Sequence, residues 1–265
     1  MTSGIDPDAN ADVLVAAVAE ASAAGAAILF TPEMSGLLDS DAERAGTSVV
    51  PETEDKVLAR VREAARDARI WVHLGSLAVR SESEARWANR GFVIDDAGTV
   101  VARYDKMHLF DVDLETGENW RESARYVAGS GPVAVDTPVG RLGLSICYDL
   151  RFPALYQALS AQGATIFAVP AAFTVPTGRD HWHVLMRARA IENAAFVIAA
   201  AQVGRHEDGR QTYGHSLVID PWGAVLLDMG DATGVGIVDI DFGWVGEVRH
   251  RIPVLRHRRI IEGAA

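Results

Sequence analysis

The chain is poor in cysteine. Cys147 is the only one among 265 residues, so no internal disulfide forms, and a reducing, cytoplasmic compartment is the expectation. Basic residues are also scarce, 25 against 36 acidic, for a net charge of −11. Nucleic acid and anionic membranes both require a basic surface and are poor partners for such a chain. No apolar run approaches the ~20 residues that span a bilayer. The N-terminus lacks the basic start and apolar stretch of a signal peptide. No internal repeat, low-complexity tract or Pro/Ser-rich linker divides the sequence, so a single domain over residues 1–265 is expected. What is present is apolar: 49% of the residues, enough for a sizeable core.

Helix-like and strand-like segments alternate. Residues 9–24 and 52–69 have helical spacing, the second with its charges on one side. Residues 27–30 and 70–75 read as strands, and 92–104 as a hairpin turning at Asp95-Asp-Ala-Gly98. Short strands are expected at 133–135, 142–146, 166–169, 196–201, 216–219, 224–227 and 235–240. Helices are expected at 154–162, at 181–193 and from near Phe242. The order is not strictly alternating, which favours a mixed α/β sandwich over a TIM barrel or a plain Rossmann sheet.

Cys147 ends the apolar run from Leu142 to Ile146, and a helix follows Pro153. A thiol at such a strand-to-helix corner is expected at the exposed strand tip. Free backbone N–H groups there favour a thiolate and can hold an oxyanion. The plainer reading is a small buried hydrophobe. Two further segments deliver ionisable groups just past strands. Ala26-Ala-Ile-Leu-Phe-Thr-Pro-Glu33 delivers a carboxylate, and the run from Val101 to Tyr104 delivers Lys106. A carboxylate can take the thiol proton and an ammonium can stabilise an oxyanion. Alone, each would be a solvated loop charge.

These segments resemble the nitrilase, or carbon–nitrogen hydrolase, superfamily, and the resemblance runs from Met1-Thr-Ser-Gly to the tail at Arg251–Arg259. The superfamily's Glu–Lys–Cys triad falls on Glu33, Lys106 and Cys147. Its second glutamate falls on Glu122, in Trp120-Arg-Glu-Ser123. The Nit amidase branch is similar at Cys147–Pro153, Arg187–Asn193, Tyr213–Ser216 and Asp220–Gly223. The resemblance implies a four-layer αββα sandwich. The family places a strand ahead of its Met-Thr-Ser stretch, so a sandwich lacking its first strand is expected. A second departure is His183, where many relatives carry a glutamate.

The implied activity is amide hydrolysis without a cofactor or metal. Glu33 acts as base, Cys147 forms a thioester, Lys106 and the Tyr148 N–H hold the oxyanion, and Glu122 positions or tunes. Arg151 could grip a carboxylate as a fork; its plainer role is an ion pair with Asp149 or Glu122. In Nit amidases an arginine and a threonine, here Arg151 and Thr177, contact a substrate carboxylate. Together they imply an α-keto acid amide. Deaminated glutathione, cut to α-ketoglutarate and Cys-Gly, is the expected substrate, with α-ketoglutaramate and other aliphatic amides as alternatives. A homodimer or higher homo-oligomer is implied as well.

Three rival readings are weaker. Asp180-His-Trp-His183 with His215 offers metal ligands, but a His-x-His pair on a helix points to different faces. Gly214-His-Ser216 and Gly143-Leu-Ser145 lack the second glycine of a serine nucleophile elbow. A non-catalytic binding scaffold leaves the triad without a purpose. The basic tail, Arg249-His-Arg251 and Arg256-His-Arg-Arg259, is expected to pack and pair across a subunit interface, ahead of a polyanion site.

Overall fold

A computed structural model describes residues 1–81, 85–113 and 119–259. The elements in chain order begin with α1 (Pro7–Ala23), β1 (Ile28–Phe30), α2 (Ala42–Gly46), α3 (Lys56–Ala68), β2 (Trp71–Arg80), β3 (Trp87–Ile94) and β4 (Val100–Asp105). A small ribbon, β5 (Asp111–Asp113) with β6 (Asn119–Arg121), precedes β7 (Ala134–Thr137) and β8 (Gly140–Leu144). Next come α4 (Pro153–Ala161), β9 (Ile166–Ala168), α5 (Val175–Asn193) and β10 (Phe196–Ala199). A second ribbon, β11 (Val203–Arg205) with β12 (Gln211–Tyr213), leads to β13 (Leu217–Ile219), β14 (Val225–Asp228), α6 (Gly243–Arg251) and α7 (Val254–His257).

Two sheets face each other. One runs β1-β2-β3-β4, the other β14-β13-β10-β9-β8-β7. Helices α1 and α3 cover the first sheet around Leu14, Val18, Val61 and Phe92. Helices α4 and α5 cover the second, and a larger core that includes Tyr104, Leu144, Phe167 and Trp182 unites it with the inner face of the first. The molecule is thus a four-layer αββα sandwich. Among the described residues no helix is long and apolar enough to cross a membrane.

Local chemistry sets the element ends. The Asp6 carboxylate caps α1 by accepting from the N–H of Asp8, and Pro7 occupies the first turn, where its missing N–H costs nothing. Asp55 caps α3, which buries Val57, Leu58, Val61 and Ala65 on one stripe and stops at Arg69 in the left-handed region. Helix α5 starts at Val175, six residues before the sequence expectation, because Pro176 fits a first turn.

One expectation needs correction. Residues 235–240 join no ladder. They border an apolar cleft of about 730 Å³ that also borders the edge strand β1, so their apolar pattern has no neighbour to pair with. Two arginines of the basic tail find acceptors within the chain. Arg249 donates to the carbonyls of Ala194 and Ala164, and Arg258 to Asn193. Ala194 is the left-handed cap of α5, so Arg249 satisfies a helix end.

Candidate active site

Glu33 is set by a close crossing of backbones. Past β1, the chain lies over β2 where that strand's register shifts between Leu74 and Leu77. A Cβ on Gly75 would overlap the carbonyl oxygens of Thr31 and Pro32, so only glycine allows the approach. The Ser76 hydroxyl accepts from the N–H of Met34, which is itself left-handed at φ 54°. Glu33 is thereby turned inward and is 4% exposed.

Lys106 follows β4 directly. Its N–H donates to the Asn89 carbonyl and its own carbonyl accepts from Gly129. Its ammonium is buried and lies 3.0 Å from Glu33 Oε1 and 2.8 Å from Glu122 Oε2. Glu122 opens a short 3₁₀ turn after β6 and accepts from the Phe110 N–H at 2.7 Å. The second oxygen of Glu33 accepts from the Ala172 N–H at 2.8 Å.

Cys147 sits at the sharp corner after β8 with φ 49°, a left-handed conformation that costs a non-glycine residue roughly 1–2 kcal/mol. Asp149 secures the corner. It is fully buried and accepts from the Ile146 N–H, the Tyr104 hydroxyl and the His108 N–H. The thiol hydrogen-bonds Glu33, and the Tyr148 N–H has no acceptor among the described residues. The expectation of an exposed strand tip is corrected here: Cys147 is 9% exposed, because β9 and the segment after it cover the corner.

Burial, together with the Glu33 charge, pushes the Cys147 thiol well above its ordinary range, and Lys106 offsets this only in part. A resting thiol follows, although free N–H groups at such a corner favour a thiolate. Burial also pushes the Glu33 carboxyl up, but the Lys106 charge and hydrogen bonds from Cys147, Lys106 and Asn89 outweigh it, and the carboxyl is held below its usual range. Burial disfavours the Lys106 ammonium, yet Glu122 and Glu33 hold it protonated far above the usual lysine range. The arrangement is therefore an ionised carboxylate against a protonated thiol, with a fixed cation alongside. It can accept a proton from sulfur as the sulfur attacks.

These four side chains line a cavity of about 570 Å³, together with Tyr148 and Thr177. Arg151 is not on its wall. The guanidinium stands against the rings of Tyr148 and Phe173, 5.9 and 5.4 Å from their centroids, and 3.3 Å from His181 Nδ1. It pairs with neither Asp149 nor Glu122, whose oxygens are taken by other donors.

Three residues escaped the sequence reading. Asn89 donates to both Glu33 Oε1 and Glu122 Oε1, at 2.9 and 3.2 Å. Its one signal is a polar side chain in an otherwise buried strand. Arg210 and Trp120 line the cavity with the guanidinium 4.9 Å from the indole. Arg210 Nε and Trp120 Nε1 are buried donors without an acceptor among the described residues. No local pattern joins two residues ninety positions apart.

The family model described as carbon-nitrogen hydrolase matches residues 1–250. The chain belongs to the carbon–nitrogen hydrolase family. It is 43% identical to the deaminated glutathione amidase of Yersinia enterocolitica over 239 residues, 89% of this chain and 83% of that protein. Among solved structures it is similar to the C. elegans NitFhit protein, with TM-score 0.90 and 38% identity over 98% of this chain and 63% of that one; the chain thus spans less than two thirds of NitFhit. It is also similar to a variant amidase from Nesterenkonia sp. AN1, with TM-score 0.80 and 28% identity over 98% of this chain and 90% of that one. That variant carries the acetamide moiety of fluoroacetamide covalently on its active-site cysteine. As a carbon–nitrogen hydrolase, this chain is a hydrolase acting on amides.

Proposed function

We propose that this amidase cleaves a small α-keto acid amide through a thioester on Cys147, and that deaminated glutathione is the substrate, cut to α-ketoglutarate and Cys-Gly. The observation that carries the reading is the buried contact of Glu33 with both the Cys147 thiol and the Lys106 ammonium on the wall of one cavity. In this mechanism Glu33 takes the thiol proton as sulfur adds to the amide carbonyl. Lys106 and the Tyr148 N–H hold the resulting oxyanion. Protonated Glu33 gives its proton to the leaving amine as the C–N bond breaks. It then takes a proton from water, which attacks the thioester and releases the acid and the thiol. Glu122 and Asn89 keep Lys106 and Glu33 in register.

The substrate has two carboxylates, one beside the keto group and one on the terminal glycine. Arg151, which stands off the cavity wall behind Tyr148 and Phe173 and has no carboxylate partner among the described residues, is proposed to swing past those rings to the first, with Thr177 already on the wall. Arg210, which pairs with Asp208 through Nη2 at 3.1 Å but keeps Nε without an acceptor among the described residues, is proposed for the second, together with the Trp120 indole donor. The similarity to deaminated glutathione amidases supports this choice.

The test is release of α-ketoglutarate from deaminated glutathione and from α-ketoglutaramate, side by side, with Cys147→Ala as blank. A clear preference in kcat/KM for the tripeptide analogue is expected. A preference for α-ketoglutaramate would replace the reading by ω-amidase. Turnover of neither, with Cys147 still acylated by simple amides, would leave the triad and discard the substrate.

A further inference from the structure

His183 on α5, His215 in the turn before β13 and Asp228 at the end of β14 meet beside the Tyr213 ring. Among the described residues they form the one group of three potential ligand side chains whose donor atoms converge, all within 4.8 Å of one another. The Asp228 carboxylate lies between the two imidazoles, with Oδ2 3.0 Å from His183 Nε2 and Oδ1 2.8 Å from His215 Nδ1. We propose that this trio is a divalent-cation site of the zinc class, outside the amidase centre and independent of its chemistry.

The donor set suits such an ion. Two imidazole nitrogens and a carboxylate oxygen are borderline ligands of the kind that Zn²⁺, Co²⁺ and Ni²⁺ take, with water completing the shell. The carboxylate supplies negative charge, and the neutral imidazoles supply lone pairs. In the metal-free state the facing nitrogens donate their protons to Asp228. Binding requires only that each ring carry its proton on the far nitrogen, His183 Nδ1 and His215 Nε2. Side-chain exposures of 34%, 25% and 32% leave the site open to an ion from solvent.

The support around the trio is rigid. His183 projects from α5 beside Trp182, which is fully buried and donates from its indole N–H to the His215 carbonyl at 2.8 Å. His215 is held left-handed at φ 56°, its N–H bonded to Gly230 O, and its ring is stacked on Tyr213 at 4.5 Å. Asp228 Oδ1 also accepts from the Gly230 N–H at 2.9 Å, which orients the carboxylate. The His-x-His geometry does not prevent this, because only one of the pair takes part. His181 turns to Arg151 and His183 to Asp228. An ion here would join α5 to the turn before β13 and to the end of β14.

The experiment is calorimetric titration of Zn²⁺ into the untagged full chain carrying Cys147→Ala, which removes the only thiol. Uptake of about one equivalent is expected, with a rise in Tm. His183→Gln and His215→Asn should each weaken uptake at least about tenfold. Asparagine tolerates the left-handed backbone, and circular dichroism checks the fold of both variants. Imidazole nitrogen NMR should show His183 Nε2 and His215 Nδ1 moving on metal addition. Absence of uptake, or uptake unchanged in both variants, would overturn the proposal. So would metal-induced shifts confined to other histidines.

Discussion

Glu122 holds the Lys106 ammonium with both of its oxygens, at 2.8 and 3.1 Å. Glu33 takes the same ammonium from another direction at 3.0 Å. Lysine is thus fixed as a charge before any substrate arrives. Glu122→Gln should leave Lys106 protonated through Glu33 but loosely placed. Turnover should fall by about 10²-fold or more, within the range typical of losing one electrostatic support. Acylation trapped by mass spectrometry should still mark Cys147. Unaltered turnover would remove Glu122 from the machinery.

Glu33→Gln has a less obvious consequence for sulfur. The Glu33 charge is one of the causes that push the Cys147 thiol up, while Lys106 pulls it down. Removing the carboxylate should therefore make the thiol more acidic, even as turnover drops by roughly 10²–10⁴-fold with loss of the proposed base. Thiolate absorbance followed against pH would record both wild type and variant. A thiol that becomes less acidic in the variant contradicts the charge assignment.

His73 predicts an acid limb in stability. It is 2% exposed on β2, and its Nδ1 has no partner among the described residues. Burial depresses its pKa from 6.5 to about 3. The unfolded chain therefore binds a proton below pH 6.5 that the folded chain refuses, and stability declines as pH falls from 6.5 toward 3. The slope is about 1.4 kcal/mol per pH unit, or about 2 kcal/mol by pH 5. Urea titrations at pH 7 and pH 5 measure it. His73→Gln, which cannot charge, should remove this share of the slope.

Gly75→Ala tests whether backbone contact positions the base. The added methyl group would collide with the Thr31 and Pro32 carbonyls, neither of which is a flexible side chain. A cost of about 1–3 kcal/mol is expected from overpacking. Because the displaced segment carries Glu33, kcat should also drop at least about tenfold. A lower Tm with full kcat would separate stability from positioning and refute the second half.

The two arginines should divide by substrate. Arg210→Gln should raise KM for deaminated glutathione and leave α-ketoglutaramate nearly unchanged, since only the former has a glycine carboxylate. Arg151→Lys should raise KM for both, because lysine is a poor bidentate partner. Steady-state kinetics on the two substrates decide, and equal effects of Arg210→Gln on both would place it elsewhere.

The layered fold was readable because strands stop close to where their apolar runs stop: β1 ends at Phe30, just before Pro32, and β8 at Leu144, just before Cys147. Residues 235–240 show the limit. Their alternation is that of a strand, but a strand exists only against a neighbour, and the pattern says nothing of neighbours. Glu33, Lys106 and Cys147 were visible by position, each just past a strand. Their protonation was not. It depends on how deeply the corner is buried and on which charge lies nearest, and both are tertiary facts. Arg151 shows the same limit, since its place after the cysteine did not reveal that its guanidinium would stand against Tyr148 and Phe173 and off the cavity wall.

The corner of buried carboxylates has a bearing on direction. Glu33 and Glu122 face a single ammonium, Lys106, so these three groups of the wall together carry one surplus negative charge while the thiol is protonated. An uncharged amide bond can approach that wall freely. The acid made from it carries a charge of the same sign as its surroundings, and is pushed outward. Hydrolysis at this site thus changes a group the wall tolerates into one that it expels, which hastens product departure and opposes the reverse condensation.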